Sequence, residues 1–231
     1  MSNQSFVSAA FRDRIRGMVV PVALGLGRLG LTPNALTLIG FAGTCVAALA
    51  AALQYWLLAG VLVIAFGIFD LFDGALARAT GTTSKFGAFL DSTLDRTGEN
   101  LVYGGIAMGA TAAFFPLATA LAVLAMTFAS AVTYARARAE AIGLQGEVGI
   151  APRPERLLIL AVGLGLTGLF GGLPNARPFG DQVTAMPWGS FSWESGDPWL
   201  TAALGIIALT SAITVIQRIV HVRRQLNEGA H

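Results

Sequence analysis

Asp70, Asp73, Asp91 and Asp95 fall within a stretch of 26 residues and form two pairs, spaced i, i+3 and i, i+4. Both spacings put two side chains on one face of an α-helix. The connection from Ala79 to Lys85 is short, so two consecutive helices would run antiparallel and bring the pairs to similar depth on the same side. Four carboxylates held in apolar helices repel one another and are costly to desolvate. Arg78 and Arg96 are too few to neutralise them. A bound cation is the balance expected, and all-oxygen ligation with no His or Cys nearby favours Mg²⁺ or Mn²⁺ over zinc. Gly74 and Gly87 flank the carboxylates and leave room for a bulky ligand to approach the backbone.

The elements that must position these residues are membrane helices. Of 231 residues, 55% are hydrophobic and only 12% charged, about half the charge of an ordinary soluble domain. The 28 glycines suit helices that pack closely where lipid supplies no hydrophobic drive. A hydrocarbon core of about 30 Å needs about 20 apolar residues of helix. Residues 34–53, 56–79, 86–113, 116–141, 155–173 and 199–221 answer to this, giving an all-α protein with six transmembrane helices. Residues 5–26 mix Phe6, Phe11, Ile15 and Val19 with three arginines and suit an amphipathic helix lying in the interface. Thr32 or Asn34 can cap the first span, and Pro154 and Pro198 open the fifth and sixth. With no internal repeat, residues 1–231 read as a single membrane domain, the six-helix bundle covering 34–221.

Charge position sets orientation. With six spans, fourteen of the 15 Lys and Arg residues fall on one side and only Arg177 on the other. That side is cytoplasmic by the positive-inside rule, together with both termini and the aspartates. The opposite loop, 174–198, carries Trp188 and Trp193, with Trp199 just beyond it, as an interfacial belt. A net charge of +2 distributed in this way points to lipid headgroups and not to nucleic acid. Cys45 is the single cysteine, so no intrachain disulfide can form. No cleavable signal peptide is expected, because residues 1–20 lack an apolar run ending in small residues.

Written as a string, Asp70, Asp73, Gly74, Ala77, Arg78, Gly87, Asp91 and Asp95 read D-x-x-D-G-x-x-A-R-x8-G-x3-D-x3-D. This resembles, position for position, the signature of the CDP-alcohol phosphotransferase family. The resemblance implies transfer of a substituted phosphate from a CDP-linked donor to an alcohol, with release of CMP. It further implies that the four aspartates hold two metal ions, Mg²⁺ or Mn²⁺, and that Asp95 also acts as the base. Gly74, Arg78, Ser84 and the segment Asn34, Ala35, Leu36 and Thr37 would bind the CDP donor. A homodimer is implied as well.

A second pattern narrows the acceptor. Tyr134-Ala135-Arg136-Ala137-Arg138, then Arg153-Pro154-Glu155-Arg156, then Ile216-Gln217-Arg218 is similar to the phosphatidylinositol phosphate synthases of that family. The implied reaction carries a phosphatidyl group from CDP-diacylglycerol to inositol phosphate, a phosphorylated polyol. Such an acceptor needs fixed cations: Arg136, Arg138, Arg153, Arg156 and Arg218 are the candidates, with Glu140 and Glu155 placed to orient them. Arg153 and Arg156 also bracket a helix N-terminus, which favours an anion. Arg218 lies a turn inside its span, deep for a surface charge. Glycerol 3-phosphate, the acceptor of a phosphatidylglycerophosphate synthase, would need similar cations. A divalent-cation transporter predicts carboxylates near the midplane and repeated broken helices, and neither pattern is present.

Overall fold

A computed structural model of the protein describes residues 9–150, 152–173 and 196–228, with side chains from Met18 onward. All regular structure among the described residues is helical: α1 (Ala9–Arg28), α2 (Pro33–Ala52), α3 (Trp56–Phe69), α4 (Leu71–Thr80), α5 (Lys85–Ala112), α6 (Pro116–Ala141), α7 (Arg153–Leu169) and α8 (Asp197–Glu228). The N-terminal stretch expected to be helical forms α1 from Ala9; residues 5–8 lie outside the described residues, as do Arg177, Trp188 and Trp193.

Local chemistry explains most boundaries. Thr32 Oγ1 accepts from the Ala35 amide at 3.2 Å and caps α2. Ser84 Oγ does the same for the Gly87 amide at 2.9 Å and starts α5. Helix α4 ends at Gly81, whose φ of 68° is the left-handed conformation of a C-terminal cap. Helix α7 stops short of the expected 173 because Gly171 and Gly172 turn the chain with φ of 85° and 73°. Helix α8 runs past the expected 221 to Glu228, and residues 222–228 contain no glycine or proline to break it.

The expected continuous span 56–79 is divided at Asp70, which places Asp70 at the N-cap of α4 and Asp73 in its first turn. Among the described residues, four helical stretches are long and apolar enough to cross a membrane: Pro33–Ala52, Trp56–Thr80, Pro116–Ala141 and Asp197–Glu228. The protein is a multi-pass membrane protein. Helix α5 has the length but carries Lys85, Asp91, Asp95, Arg96 and Glu99, and α7 has 17 residues.

The chain divides into two compact units, residues 1–43 with 65–95 and residues 44–64 with 96–231. In the first, Val19, Ala23, Leu36, Ala75 and Leu76 form a core between α1, α2 and α4. Gly27 lets Leu76 approach α1; a Cβ there would lie 2.7 Å from Leu76 Cδ1. Phe66, Phe69 and Phe72 stack edge to face, with centroids 6.2 and 5.5 Å apart. The second unit packs on small residues: a Cβ at Gly105 would overlap the Ala48 carbonyl and one at Gly109 the Ala51 carbonyl, so α5 touches α2 backbone to backbone.

Candidate active site

In the first unit, α4 and α5 deliver the acidic residues. Carboxylate oxygens of Asp70, Asp91 and Asp95 lie within 4.8 Å of one another, and all three side chains are half-buried. Carboxylates at that spacing repel one another, and a bound cation would relieve the repulsion. The donor set is all oxygen and suits a divalent cation. Asp73 is placed differently. It is buried, accepts a hydrogen bond from Thr37 Oγ1 at 2.6 Å through Oδ2, and accepts one from the Gly74 amide through Oδ1. Thr37 Oγ1 also lies 3.1 Å from the Pro33 carbonyl, and its one proton favours the charged acceptor.

The residues expected to bind the donor fall into three groups. Arg78 is exposed and folds back over Gly74, where a Cβ would stand 3.1 Å from Nη1. Asn34, Ser84 and Gly87 converge: a Cβ on Gly87 would meet Ser84 Oγ at 3.1 Å and Asn34 Oδ1 at 3.2 Å. Of the remaining three, the Leu36 side chain belongs to the apolar core, the Ala35 amide serves the helix cap, and Thr37 holds Asp73. Leu36 and Ala35 therefore have only backbone and a methyl to offer a ligand.

The second unit holds the arginines. Arg136 directs Nε to Glu140 Oε1 at 2.7 Å and Nη1 to Glu147 Oε1 at 3.3 Å. Arg138 is exposed, as expected for a residue two positions along the same helix. Arg156 is only 2% exposed and grips Glu99 with two bonds, Nε to Oε1 at 2.9 Å and Nη2 to Oε2 at 3.0 Å. Arg218 is buried, with Nε donating to the Val148 carbonyl at 2.9 Å and Nη1 to that of Val132. It also feels the charges of Arg136, Arg156, Glu140 and Glu147. Three of the five expected arginines, 136, 156 and 218, therefore share one electrostatic neighbourhood. Arg153 opens α7 and is half-buried. Glu140 orients an arginine as expected, whereas Glu155 Oε2 is buried with no hydrogen-bond partner among the described residues.

Glu99 and Glu147 were not expected at the site. A carboxylate one turn beyond Asp95, where α5 enters the apolar run from Leu101, is a sufficient signal for Glu99. Glu147 sits in a connecting segment and carries no such signal.

The chain matches the CDP-alcohol phosphatidyltransferase family over residues 30–189. It is similar to a phosphatidylinositol phosphate synthase of Cutibacterium acnes, 39% identical over 220 residues that cover 93% of this chain and 96% of the relative. Among solved structures it resembles the phosphatidylinositol phosphate synthase of Mycobacterium tuberculosis with CDP-DAG bound, with a TM-score of 0.73, 30% identity, and coverage of 88% of this chain and 92% of that one. The same Mycobacterium enzyme in complex with manganese and citrate gives a TM-score of 0.71 at 32% identity, covering 88% of each chain.

Proposed function

Because this chain belongs to the CDP-alcohol phosphatidyltransferase family, we infer that it transfers the phosphatidyl group of CDP-diacylglycerol to a hydroxyl of inositol phosphate and releases CMP. The observation that carries this reading is the convergence of Asp70, Asp91 and Asp95 on one point beside the buried Asp73, joined to relatives of that activity that match nearly the whole chain. In the transfer, the acceptor oxygen forms a bond to the phosphatidyl phosphorus while the bond from that phosphorus to the CMP oxygen breaks. Two divalent ions, Mg²⁺ or Mn²⁺, held by Asp70, Asp73, Asp91 and Asp95 would stabilise negative charge on the pyrophosphate and on the leaving CMP. Asp95 takes the proton of the acceptor hydroxyl as the new bond forms. Arg78 supplies a forked donor for phosphate oxygens, and Gly74 leaves that guanidinium room. Asn34, Ser84 and Gly87, with the backbone of Ala35 and Leu36, contact the nucleotide.

Thr37 acts by orienting Asp73. Partners that orient metal ligands typically contribute about 10- to 100-fold to metal affinity or activity. Thr37→Val should accordingly weaken Mn²⁺ binding by about 10-fold in titration calorimetry, with Thr37→Ser close to wild type. Unchanged binding in the valine variant would separate Thr37 from the metal site.

Arg136, Arg138, Arg153, Arg156 and Arg218 are assigned to the acceptor's phosphate. The excess of basic residues on one side supports a cytoplasmic active site with both termini cytoplasmic. With α5 and α7 also crossing, the spans number six. The chain acts as one domain, since α2, α3 and α5 each contribute residues to both units. Small residues on α5 and α6 support a homodimer in the membrane.

The test is acceptor choice. Purified chain with CDP-diacylglycerol and Mg²⁺ is offered inositol phosphate, glycerol 3-phosphate, inositol and serine separately. The highest kcat/KM is expected for inositol phosphate, with little turnover of the unphosphorylated acceptors. A preference for glycerol 3-phosphate would identify a phosphatidylglycerophosphate synthase instead.

A further inference from the structure

The segment joining α6 to α7 is held in place residue by residue. The Gln145 amide donates to Gln225 Oε1 at 3.0 Å, and Gln225 Nε2 donates back to the Gln145 carbonyl at 2.7 Å. Gly146 lies against the backbone of α6, where a Cβ would come within 3.0 Å of Arg136 Cα. The Val148 carbonyl accepts from Arg218. Gly149 has a φ of 137° and packs on Thr214 so closely that a Cβ would overlap Cγ2. Between these contacts stands Glu147, and its carboxylate meets Arg136 Nη1 at 3.3 Å.

Arg136 is thereby held by two carboxylates, one on Nε and one on Nη1. The two carboxylates engage different edges of the guanidinium, so displacing Glu147 would free the Nη1 end for a phosphate oxygen while Glu140 keeps its hold on Nε. Glu140 is a local partner four residues along the same helix, of a kind common on helix surfaces. Glu147 arrives from another element and is kept there by bonds on both sides. The side chains of Arg136 and Glu147 remain 43% and 65% exposed, so a small anion can reach them from water.

We propose that Glu147 is an internal stand-in for the acceptor's phosphate, occupying Arg136 while the site is empty and yielding it when a phosphorylated acceptor binds. It is a specificity-determining residue: it raises the KM for a phosphorylated acceptor and keeps other anions of modest affinity from holding Arg136. This inference rests on the assignment of Arg136 to the acceptor's phosphate.

The two can be tested apart. Steady-state kinetics are measured for wild type, Glu147→Gln and, as a control for general surface charge, Glu228→Gln, each with inositol phosphate and with varied CDP-diacylglycerol. An exposed ion pair of this kind is weak, so Glu147→Gln should lower the KM for inositol phosphate by about two- to five-fold. The KM for the donor and the kcat should stay at wild-type values, and Glu228→Gln should change nothing. An unchanged or raised KM in Glu147→Gln, or an equal fall in Glu228→Gln, overturns the proposal while leaving the reaction assignment standing. A wild-type chain that does not use inositol phosphate would remove the premise itself.

Discussion

Asp95→Asn should lower the rate of CMP release by about 10³-fold or more, while binding of the CDP-linked donor is largely retained. A positioned general base is worth about 10²- to 10⁴-fold, and Asp95 also belongs to the carboxylate cluster that a cation must neutralise. The amide keeps the shape of the side chain and one oxygen, but it cannot accept the acceptor's proton and contributes no charge. Under the proposed assignment, Arg78, Asn34, Ser84 and the three other aspartates still hold the donor when the Asp95 charge is lost. Single-turnover CMP release, paired with equilibrium binding of CDP-diacylglycerol, separates the two effects. Full activity in the asparagine variant would remove Asp95 as the base.

The second large effect is on stability. Glu99 and Arg156 are 6% and 2% exposed and joined by two hydrogen bonds. Removing one partner of a buried pair strands the other charge, at a cost of about 3–5 kcal/mol. Glu99→Ala should lose stability on that scale, measured by reversible unfolding in mixed micelles. A loss below about 1 kcal/mol would mean that water or another group already compensates Arg156. The double variant Glu99→Met/Arg156→Met should recover most of the lost stability, because well-packed apolar side chains can replace a buried pair. It should not recover use of a phosphorylated acceptor if Arg156 belongs to that site.

These expectations rest on features that differ in how far the sequence discloses them. The convergence of Asp70, Asp91 and Asp95 is legible because helix periodicity places Asp91 with Asp95 and a short connection brings their helix back to Asp70; that Asp73 turns to Thr37 instead is not. The helices are legible for the same reason: long apolar runs bounded by Thr32, Pro116 or Pro198 have few alternatives. The interruption at Asp70 is not, since apolar residues continue on both sides and Asp70 itself keeps right-handed helical dihedrals. The long reach of α8 beyond the apolar run is not either, because charged residues do not end a helix.

Tertiary pairings are the least legible. Thr37 and Asp73 are 36 residues apart, Arg156 and Glu99 are 57 apart, and Arg218 and Val148 are 70 apart. Sequence spacing shows that cations are available, but not that Glu99 and Glu147 already occupy two of them. Nor does it show that Asp73 is oriented by a hydroxyl from α2.

The most direct measurement follows CMP and lipid product together. Purified chain, CDP-diacylglycerol and inositol phosphate are combined with Mg²⁺, with excess chelator, and with Mg²⁺ restored. One phosphatidylinositol phosphate should form for each CMP released, with both products lost on chelation and regained with the metal. CMP release that persists in chelator, or that proceeds without the acceptor to give phosphatidic acid, would contradict the account.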